Sequence, residues 1–410
     1  MPLTTSAESL RLAVFTDTAL PQLNGVSHTL DRLAHAVRER GGAVRIFTTT
    51  DPRSAPDADV VRYRSVPFPT YPEVRFAAPG ARAAAAELRR WGATLVHAAT
   101  PFGLGVAGRR AARRLGVPLV TSYHTSLHTY ATYCGLDVLT EAGWAYLRWF
   151  HNGGLRTYCP TRAVERELAG RGVRGTEVWG RGVDAFRFRP DRRSAELRRR
   201  LGAPDDRLLV VYVGRLASEK GLDVALAAMR RLHAAAPERY AFALAGDGPY
   251  AERCRRLAPP GTVFTGQLVG DALGAFYASG DVFVFPSAID TFGNVLLEAM
   301  ASGLPVVAAD TAPTREVLAG GGITFPVGDD AALAARIAAL DADPARRRQV
   351  AQAGLASARR RSWSRVFDEL VADYLRVHAG AEEAAASPSV DARHRARSAR
   401  RARPALRVAK

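Results

Sequence analysis

The chain has 410 residues, of which 47% are hydrophobic and 24% charged, a composition typical of a globular protein long enough for two or three domains. Its three cysteines, Cys134, Cys159 and Cys254, are odd in number and far apart, which argues against a disulfide framework and predicts a reducing compartment. No apolar run approaches the roughly 20 residues of a membrane span, and the first ten residues lack an apolar signal core, so we expect a cytoplasmic protein.

Positive charge dominates the sequence. The formal net charge is +17, and residues 391–410 contribute a net +7 of it, through seven arginines and Lys410 against one acid. This Ala/Arg-rich tail has few apolar residues and is predicted to be disordered. Such a tail suits contact with an anionic membrane or a nucleic acid, and the plainer interpretation is a solvated terminus.

Short apolar runs alternate with amphipathic helical segments in the first half of the chain. A run at 12–16 is followed by a Pro/Asn/Gly loop at 21–25 and by a helical stretch from Ser27 to Arg40. This alternation is typical of parallel β-α-β units. The further strands predicted in this half are 43–48, 94–97 and 118–122.

The same rhythm restarts after a Pro/Arg-rich linker near 187–193. The apolar run Leu208–Val213 predicts a buried strand, which leads through a glycine-containing loop into a helix at 222–235. We therefore predict an α/β protein with two doubly wound, Rossmann-like domains that face each other across a ligand-binding cleft. The other strands predicted in this half are 240–245, 263–265, 282–285 and 305–309.

Lysine is almost absent, which makes one position stand out. Of 57 lysine and arginine residues only Lys220 and Lys410 are lysine, and Lys220 closes the loop that follows the strand Leu208–Val213. Lysine is a compact point charge on a thin stem, whereas arginine is a wide planar fork. Lys220 therefore suits a grip on one crowded phosphate oxygen, and the alternative is a stray lysine on a solvated turn.

Loops of one kind follow four strands of the second half. Their glycines let the backbone approach a ligand closely, and a helix N-terminus offers free N–H groups to an anion. Arg215 and Lys220 add two positive charges, so we predict a diphosphate site here. The loops are 214–220, 246–249, 265–267 and 286–294.

Two carboxylates accompany this predicted phosphate site. Asp290 lies in the fourth loop and Glu298 eight residues later, predicted to be two helical turns away on the same face. Carboxylates accept hydrogen bonds from hydroxyl groups, as they do from ribose in dinucleotide folds. A diphosphate site with a carboxylate for a sugar on each side therefore predicts a nucleotide-sugar ligand.

At these residues the sequence resembles the retaining glycosyltransferases of family 4, which have the GT-B fold, and within that family the GDP-mannose-dependent α-mannosyltransferases and related glycolipid glycosyltransferases. The resemblance implies an acceptor-side domain at 1–190, a nucleotide-sugar-binding domain at 191–362, a helix at 363–380 that packs back toward the first domain, and a basic tail at 381–410. The matching segments are Phe15-Thr-Asp-Thr18, Pro21-Gln-Leu-Asn-Gly-Val26, Val213–Gly221, Ala245–Pro249 and Pro286–Val307.

The resemblance also implies roles for individual residues. Arg215 and Lys220 would hold the donor diphosphate and stabilise its leaving charge without a metal ion, and His124 would lie near the transferred sugar. Asp290 would bind hydroxyls of that sugar and Glu298 the nucleotide ribose. The family usually has Glu where this chain has Asp290, so the donor sugar stays open. The other implied donor contacts are Asn24, Gly25, Val26, Gly214, Gly246, Asp247, Gln267, Thr291, Phe292, Gly293, Asn294 and Val295.

Other motifs suggest different chemistry. The segment Gly103–Gly108 is a literal GxGxxG pattern after a strand, but the acid expected roughly 20 residues further on is missing. The triplets 57–59 and 341–343 read Asp-Ala-Asp, a pattern that holds a metal in other glycosyltransferases, and we interpret both as solvated loops. His124 and His128 are four apart but lack further metal ligands, so no metal site is predicted.

An aromatic segment at 136–150 has two interpretations. Related enzymes use an amphipathic first-domain segment to reach a lipid acceptor in the membrane, and the alternative is a core helix. Its aromatic residues are Trp144, Tyr146, Trp149 and Phe150.

We therefore predict a retaining hexosyltransferase that uses GDP-mannose and a lipid-linked or glycan acceptor, contacts the anionic inner face of the cell membrane peripherally, and binds no cofactor and no specific nucleic acid. A UDP-glucose-dependent glycolipid or diacylglycerol glucosyltransferase is the first alternative. A GT-B nucleotide-sugar epimerase is the second, and the pairing of Arg215 and Lys220 with Asp290 and Glu298 argues against it. An RNA-binding protein that uses the arginine surface is the non-enzymatic alternative.

Overall fold

The computed structural model describes residues 7–22, 24–68, 71–124, 140–204 and 206–386. The strands of the first half are β1 (Arg11–Phe15), β2 (Ala43–Thr49), β3 (Val60–Tyr63), β4 (Val66–Phe68), β5 (Tyr71–Phe76), β6 (Leu95–Ala98), β7 (Leu119–Ser122), β8 (Arg156–Cys159) and β9 (Thr176–Val178). Within these ranges the order β3-β2-β1-β6-β7-β8-β9 forms a fully parallel sheet, and β4 and β5 form a separate antiparallel pair.

Helices connect the strands of this first sheet. The first of them begins after Asn24, whose Oδ1 accepts the backbone N–H groups of Val26 and Ser27 at 3.0 and 2.9 Å, so a side chain satisfies two of the N–H groups that a helix start leaves open. The helices of this half are α1 (Gly25–Glu39), α2 (Ala81–Trp91), α3 (Gly103–Leu115), α4 (Thr140–His151) and α5 (Arg162–Gly170).

The second half forms another parallel sheet. Its strands are β10 (Leu208–Val213), β11 (Tyr240–Ala245), β12 (Val263–Phe264), β13 (Val282–Phe285), β14 (Val306–Ala309) and β15 (Ile323–Phe325), in the order β12-β11-β10-β13-β14-β15. The helices around it are α6 (Ala195–Arg200), α7 (Leu222–Ala235), α8 (Ala251–Leu257), α9 (Gly270–Ser279), α10 (Asn294–Ala301), α11 (Ala312–Leu318), α12 (Asp330–Ala342) and α13 (Pro344–Arg359).

The central strand β10 explains why this sheet is covered on both faces. All six of its residues are buried. Leu209 and Val211 belong to the hydrophobic core on one face, and Leu208 and Val210 to the core on the other. Successive side chains of a strand point to opposite faces, so a strand without polar positions requires helices on both sides. The two sheets therefore have the predicted doubly wound α/β architecture.

The last helix, α14 (Trp363–Ala386), returns to the first sheet. Its residues Phe367, Leu370 and Tyr374 are buried in the same core as Leu10 and Leu12 at the start of the chain. The predicted end of this helix at 380 is wrong by six residues, because the following Ala-Glu-Glu-Ala-Ala-Ala sequence has high helix propensity. The rest of the basic tail, 387–410, lies outside the described residues.

In the described part of the chain, none of the helices combines the length and the apolar composition that a transmembrane span requires.

Candidate active site

The loops after β10 and β11 interlock. A Cβ atom added to Gly246 would lie 1.9 Å from the carbonyl oxygen of Gly214, and one added to Gly248 would lie 2.4 Å from that of Leu216. The backbone N–H of Leu216 donates to the carbonyl oxygen of Asp247 at 2.9 Å. Glycine at 246 and 248 is therefore required first by the contact between two loops, a reason that the sequence alone did not suggest.

The loop after β10 also reaches the loop after β13. Gly221 has a left-handed backbone, with φ of 69°, and a Cβ atom there would lie 2.5 Å from the carbonyl oxygen of Pro286. This close approach brings Lys220 to Asp290, whose Oδ1 accepts a hydrogen bond from Lys220 Nζ at 2.7 Å. The structure thus brings together two predicted site residues that are 70 positions apart in the sequence.

Asp290 is an ionised carboxylate held by its cationic neighbours. Burial raises the pKa of this group, but the ammonium of Lys220, the hydroxyl of Ser287 and the guanidinium of Arg215 outweigh burial, so the pKa lies below its ordinary value. The second oxygen, Oδ2, is buried and forms no hydrogen bond of standard geometry among the described residues. A carboxylate oxygen of this kind has the capacity to accept a further hydrogen bond.

Arg215 is positioned by a residue that the sequence interpretation missed. Its guanidinium forms an ion pair with Glu219, which is only 3% exposed, and its carbonyl oxygen accepts from the hydroxyl of Tyr212 at 3.1 Å. The signal that was available is the spacing of four residues between Arg215 and Glu219, which suits an ion pair within one turn of chain.

Glu298 occupies a different environment from Asp290. Burial raises its pKa, although the hydroxyl of Tyr277, which donates to Oε2 at 2.9 Å, and the charge of Arg32 act in the opposite direction. The prediction that Asp290 and Glu298 share a helix face is wrong, because α10 begins only at Asn294 and Asp290 precedes it in the loop.

The ring of His124 is fully engaged inside the first domain. Its Nδ1 accepts from Arg181 Nη2 at 2.9 Å, and since arginine has only donors, the proton of the ring is on Nε2, which donates to Ser122 Oγ at 2.8 Å. Burial, aided by Arg181, holds the pKa of His124 well below its ordinary value. The backbone carbonyl of His124 contacts the second domain, where it accepts from Thr291 Oγ1 at 3.0 Å.

This hydrogen-bonded chain continues to the last helix. Ser122 Oγ lies 2.8 Å from His97 Nε2, and His97 Nδ1 lies 2.9 Å from the hydroxyl of Tyr374. Arg181 at the other end is 6% exposed, and burial lowers its pKa to about 10. The sequence did not single out Arg181, because nothing distinguishes it from the many other arginines of the chain.

The other predicted donor contacts lie in different environments. Gly25 approaches the second domain, since a Cβ atom there would lie 3.7 Å from Asn294 Nδ2. Phe292 is buried in the core beside α10, and both Asp247 and Gln267 are exposed loop residues. Among the described residues, no hydrogen bond or ion pair joins Gln267 to Lys220 or Asp290. The remaining ones, Asn24, Val26, Gly214, Gly246, Thr291, Gly293 and Val295, lie at the helix starts and loops described above.

The GxGxxG segment serves packing. Cβ atoms at Gly103 and Gly105 would lie 1.9 and 1.7 Å from backbone carbonyl oxygens of Ala77 and Thr100. The start of this helix already holds a carboxylate, because Asp17 Oδ1 accepts the backbone N–H of Leu104 at 3.0 Å. A phosphate would have to displace that carboxylate, and this argues against a dinucleotide site here.

The acidic triplets have structural partners. Asp59 pairs with Arg38 at 3.0 Å. Asp341 pairs with Arg239 from within α12, so its predicted position in a loop is wrong, and Asp343 Oδ1 caps α13 through the N–H of Arg346. His128 and residues 136–139 of the aromatic segment lie outside the described residues.

The two facing parallel sheets, with cations and carboxylates gathered at the carboxyl ends of the strands, define a glycosyltransferase of the GT-B type. Sucrose-phosphate synthase from Thermosynechococcus elongatus has the same fold, with a TM-score of 0.73 and 21% identity over 90% of this chain and 100% of that chain. The profile named Glycosyltransferase Family 4 matches residues 23–187, and the profile named Glycosyl transferases group 1 matches residues 207–343.

Relatives extend this similarity along the chain. The GDP-mannose-dependent alpha-mannosyltransferase of Mycolicibacterium smegmatis is 36% identical over 375 residues, which cover 89% of this chain and 97% of the relative. The alpha-monoglucosyldiacylglycerol synthase of Streptococcus pneumoniae is 30% identical over 313 residues, covering 73% and 71%. The chain belongs to glycosyltransferase family 4 and is a retaining hexosyltransferase, as the motifs predicted.

Proposed function

We propose that this glycosyltransferase moves mannose from GDP-mannose to a lipid-linked or glycan acceptor. The observation that carries the proposal is the 2.7 Å ion pair between Lys220, which is the one lysine outside the terminal residue, and Asp290 at the carboxyl ends of β10 and β13. The pair fixes a point charge for the leaving diphosphate next to a carboxylate oxygen for a sugar hydroxyl. The mannosyltransferase relative, which aligns with this chain over 97% of its own length, supports mannose as the sugar.

The chemistry assigns a role to each charged residue of the site. The bond between the sugar carbon and the diphosphate oxygen breaks, and the bond to the acceptor oxygen forms on the same face. The acceptor proton passes to the departing phosphate oxygen. Lys220 and Arg215 stabilise the negative charge that develops on the diphosphate, and Glu298 holds the ribose. We propose that these two cations suffice without a metal or cofactor, so chelation with EDTA is expected to leave turnover unchanged.

Binding of three donors tests the proposal. GDP-mannose, UDP-glucose and UDP-N-acetylglucosamine are each added to the full chain, and thermal stability is measured, because a ligand that binds only the folded state raises it. We expect the largest increase with GDP-mannose, followed by mannose transfer to a lipid acceptor. A larger increase with UDP-glucose would favour glucose transfer, for which the relative from S. pneumoniae provides the precedent. Free sugar epimer released without an acceptor would instead identify an epimerase.

We also infer a peripheral position on the cytoplasmic face of the membrane. The support is the net charge of +17 together with the arginine-rich segment 391–410, which suit an anionic lipid surface. Sedimentation with vesicles of phosphatidylglycerol, compared with vesicles of phosphatidylcholine, tests this inference. Equal binding to both lipids would contradict it.

A further inference from the structure

We propose that a groove on the first domain binds the phosphate group of an anionic phospholipid. The groove has a volume of about 720 Å³ and lies between the end of α3, the turn before β8, and α14. Its wall includes Pro118 and Leu119, where β7 starts, whereas Lys220 and Asp290 follow the ends of strands. The groove is therefore separate from the donor site.

The groove has more arginine side chains than neighbouring carboxylates. Arg109, Arg113, Arg156 and Arg376 line it, and its lining contains no acidic side chain among the described residues. Asp373 lies behind it, 2.9 Å from Arg376 and 3.8 Å from Arg156. In the described ranges no carboxylate lies within 4.0 Å of Arg109 or Arg113, so two arginines share one carboxylate and two have none.

The guanidinium of Arg109 is held in place by its neighbours. It stacks on Trp149, with 4.1 Å from Cζ to the ring centroid, and it occupies the place where a Cβ atom of Gly153 would be, 2.2 Å from Nε. That Nε is buried and has no hydrogen-bond partner among the described residues. Burial and the nearby charge of Arg113 lower the pKa of Arg109, so both disfavour its charged form. A bound anion would favour that charged form. Phosphate oxygens match such an arginine fork in geometry and charge.

Apolar surface beside these arginines favours a lipid over a free phosphate. Leu155 lines the groove and is 52% exposed, and Trp149, which carries the Arg109 guanidinium, is 41% exposed. Aromatic and aliphatic side chains next to arginines are typical of surfaces that meet the interface of a bilayer. The choice of a lipid also rests on the proposed function, in which the acceptor is lipid-linked.

Titration with a water-soluble lipid tests the groove. Dihexanoyl phosphatidylglycerol, below its micelle concentration, is titrated calorimetrically into the full chain, with dihexanoyl phosphatidylcholine and inorganic phosphate as comparison ligands. We expect saturable binding of phosphatidylglycerol only. Arg113→Ala is expected to weaken it about tenfold, as for the loss of one charge-assisted hydrogen bond. Arg113 is exposed, so this variant is expected to fold.

Arg114→Ala is the matched control, because Arg114 is the adjacent exposed arginine on the same helix and does not line the groove. Its affinity is expected to equal that of the unchanged chain. Equal losses in both variants, or no loss in Arg113→Ala, would overturn the site. Inorganic phosphate bound as tightly as the lipid would overturn the lipid assignment. Lipid binding is measured without donor, so a failure of the proposed mannose transfer would show separately in the donor assay.

Discussion

Lys220 Nζ donates a hydrogen bond to Asp290 Oδ1 across 2.7 Å, which joins the loops that follow the neighbouring strands β10 and β13. This ion pair fixes the position of the ammonium group and the charge of the carboxylate. Lys220 is an anchored point charge and not a solvated one, and Asp290 is kept ionised by Lys220 and its other neighbours. A change at either residue therefore alters the other.

Replacement of Lys220 tests size as well as charge. Lys220→Ala is expected to lower turnover by at least about 100-fold, because the leaving diphosphate loses a fixed cation. Lys220→Arg is expected to lose activity too, since a wide fork does not replace a point charge beside Asp290. Steady-state kinetics measure both, with Lys410→Ala, at the other lysine, as control. Full activity of Lys220→Arg would show that charge alone suffices, and full activity of Lys220→Ala would remove the proposed site.

The contact between Tyr277 and Glu298 predicts a pH effect on donor binding. Glu298 accepts hydrogen bonds from hydroxyl groups best when it is ionised, so donor affinity is expected to fall as the pH falls through its raised pKa. Tyr277→Phe removes a hydrogen bond that lowers this pKa, so the fall is expected to begin at a higher pH. The donor KM measured against pH tests this, and Tyr240→Phe in β11 serves as control. An identical profile for Tyr277→Phe and the unchanged chain contradicts the role of Glu298.

The bond between Arg181 and His124 predicts a loss of stability. Arg181→Met leaves His124 Nδ1 and the carbonyl oxygens of Trp179 and Gly180 without their donor. We expect the free energy of unfolding to fall by at least about 2 kcal/mol. Urea denaturation measures it, and the exposed Arg174→Met is expected to change it by less than about 0.5 kcal/mol. A stable Arg181→Met variant would show that the buried chain of hydrogen bonds contributes little.

Two glycines in helices allow a matched test of packing. Gly105→Ala is expected to destabilise the fold severely, because its Cβ atom would lie 1.7 Å from the carbonyl oxygen of Thr100. Gly143→Ala in α4 meets no atom within 4 Å and is expected to stabilise the helix by up to about 1 kcal/mol. Thermal unfolding distinguishes the two. A tolerated alanine at 105 would reopen a ligand-binding role for the GxGxxG segment.

Asp17 predicts a pH dependence of stability. Burial, partly offset by the hydrogen bond from Thr100, raises its pKa from 3.8 to about 6. Between these two pH values the folded state holds a proton that the unfolded chain releases. The stability that Asp17 contributes is therefore present below about pH 4 and is lost as the pH rises through about 6. Asp17→Asn stays neutral, so relative to the unchanged chain it is expected to gain up to about 3 kcal/mol over this range.

Urea denaturation at acidic and neutral pH measures that gain. Asp206→Asn, at an exposed position, is the control and is expected to show none. A constant difference between Asp17→Asn and the unchanged chain at both pH values would mean that Asp17 titrates normally.

Central strands without polar positions were predictable, and several strands at or beside the edges of the first sheet were not. β10, β11 and β13 have the bounds that their apolar runs predicted, because strands buried on both faces leave no polar positions. The edge strands β3 and β9 were missed, and so was β8, which pairs with β9, because Arg62, Arg156 and Glu177 interrupt the apolar runs.

At the site, residue types were predictable but their contacts were not. The cations and carboxylates follow from the motif, yet the left-handed Gly293, which starts α10 after Asp290, separates the environments of Asp290 and Glu298. The inward orientation of the His124 ring depends on Arg181, which is 57 residues away in sequence. Contacts between distant segments leave no local pattern, so the sequence interpretation had no access to them.

The return of α14 to the first sheet has a consequence for biosynthesis. Phe367, Leu370 and Tyr374 belong to the same core as Leu10 and Leu12, so the first domain stays incomplete until the ribosome has made the second. Domains of most multidomain chains fold in the order in which they emerge. Here we expect the second parallel sheet, made of nearby segments, to form first. Residues at the start of the chain reach their native packing only after α14 has been synthesised.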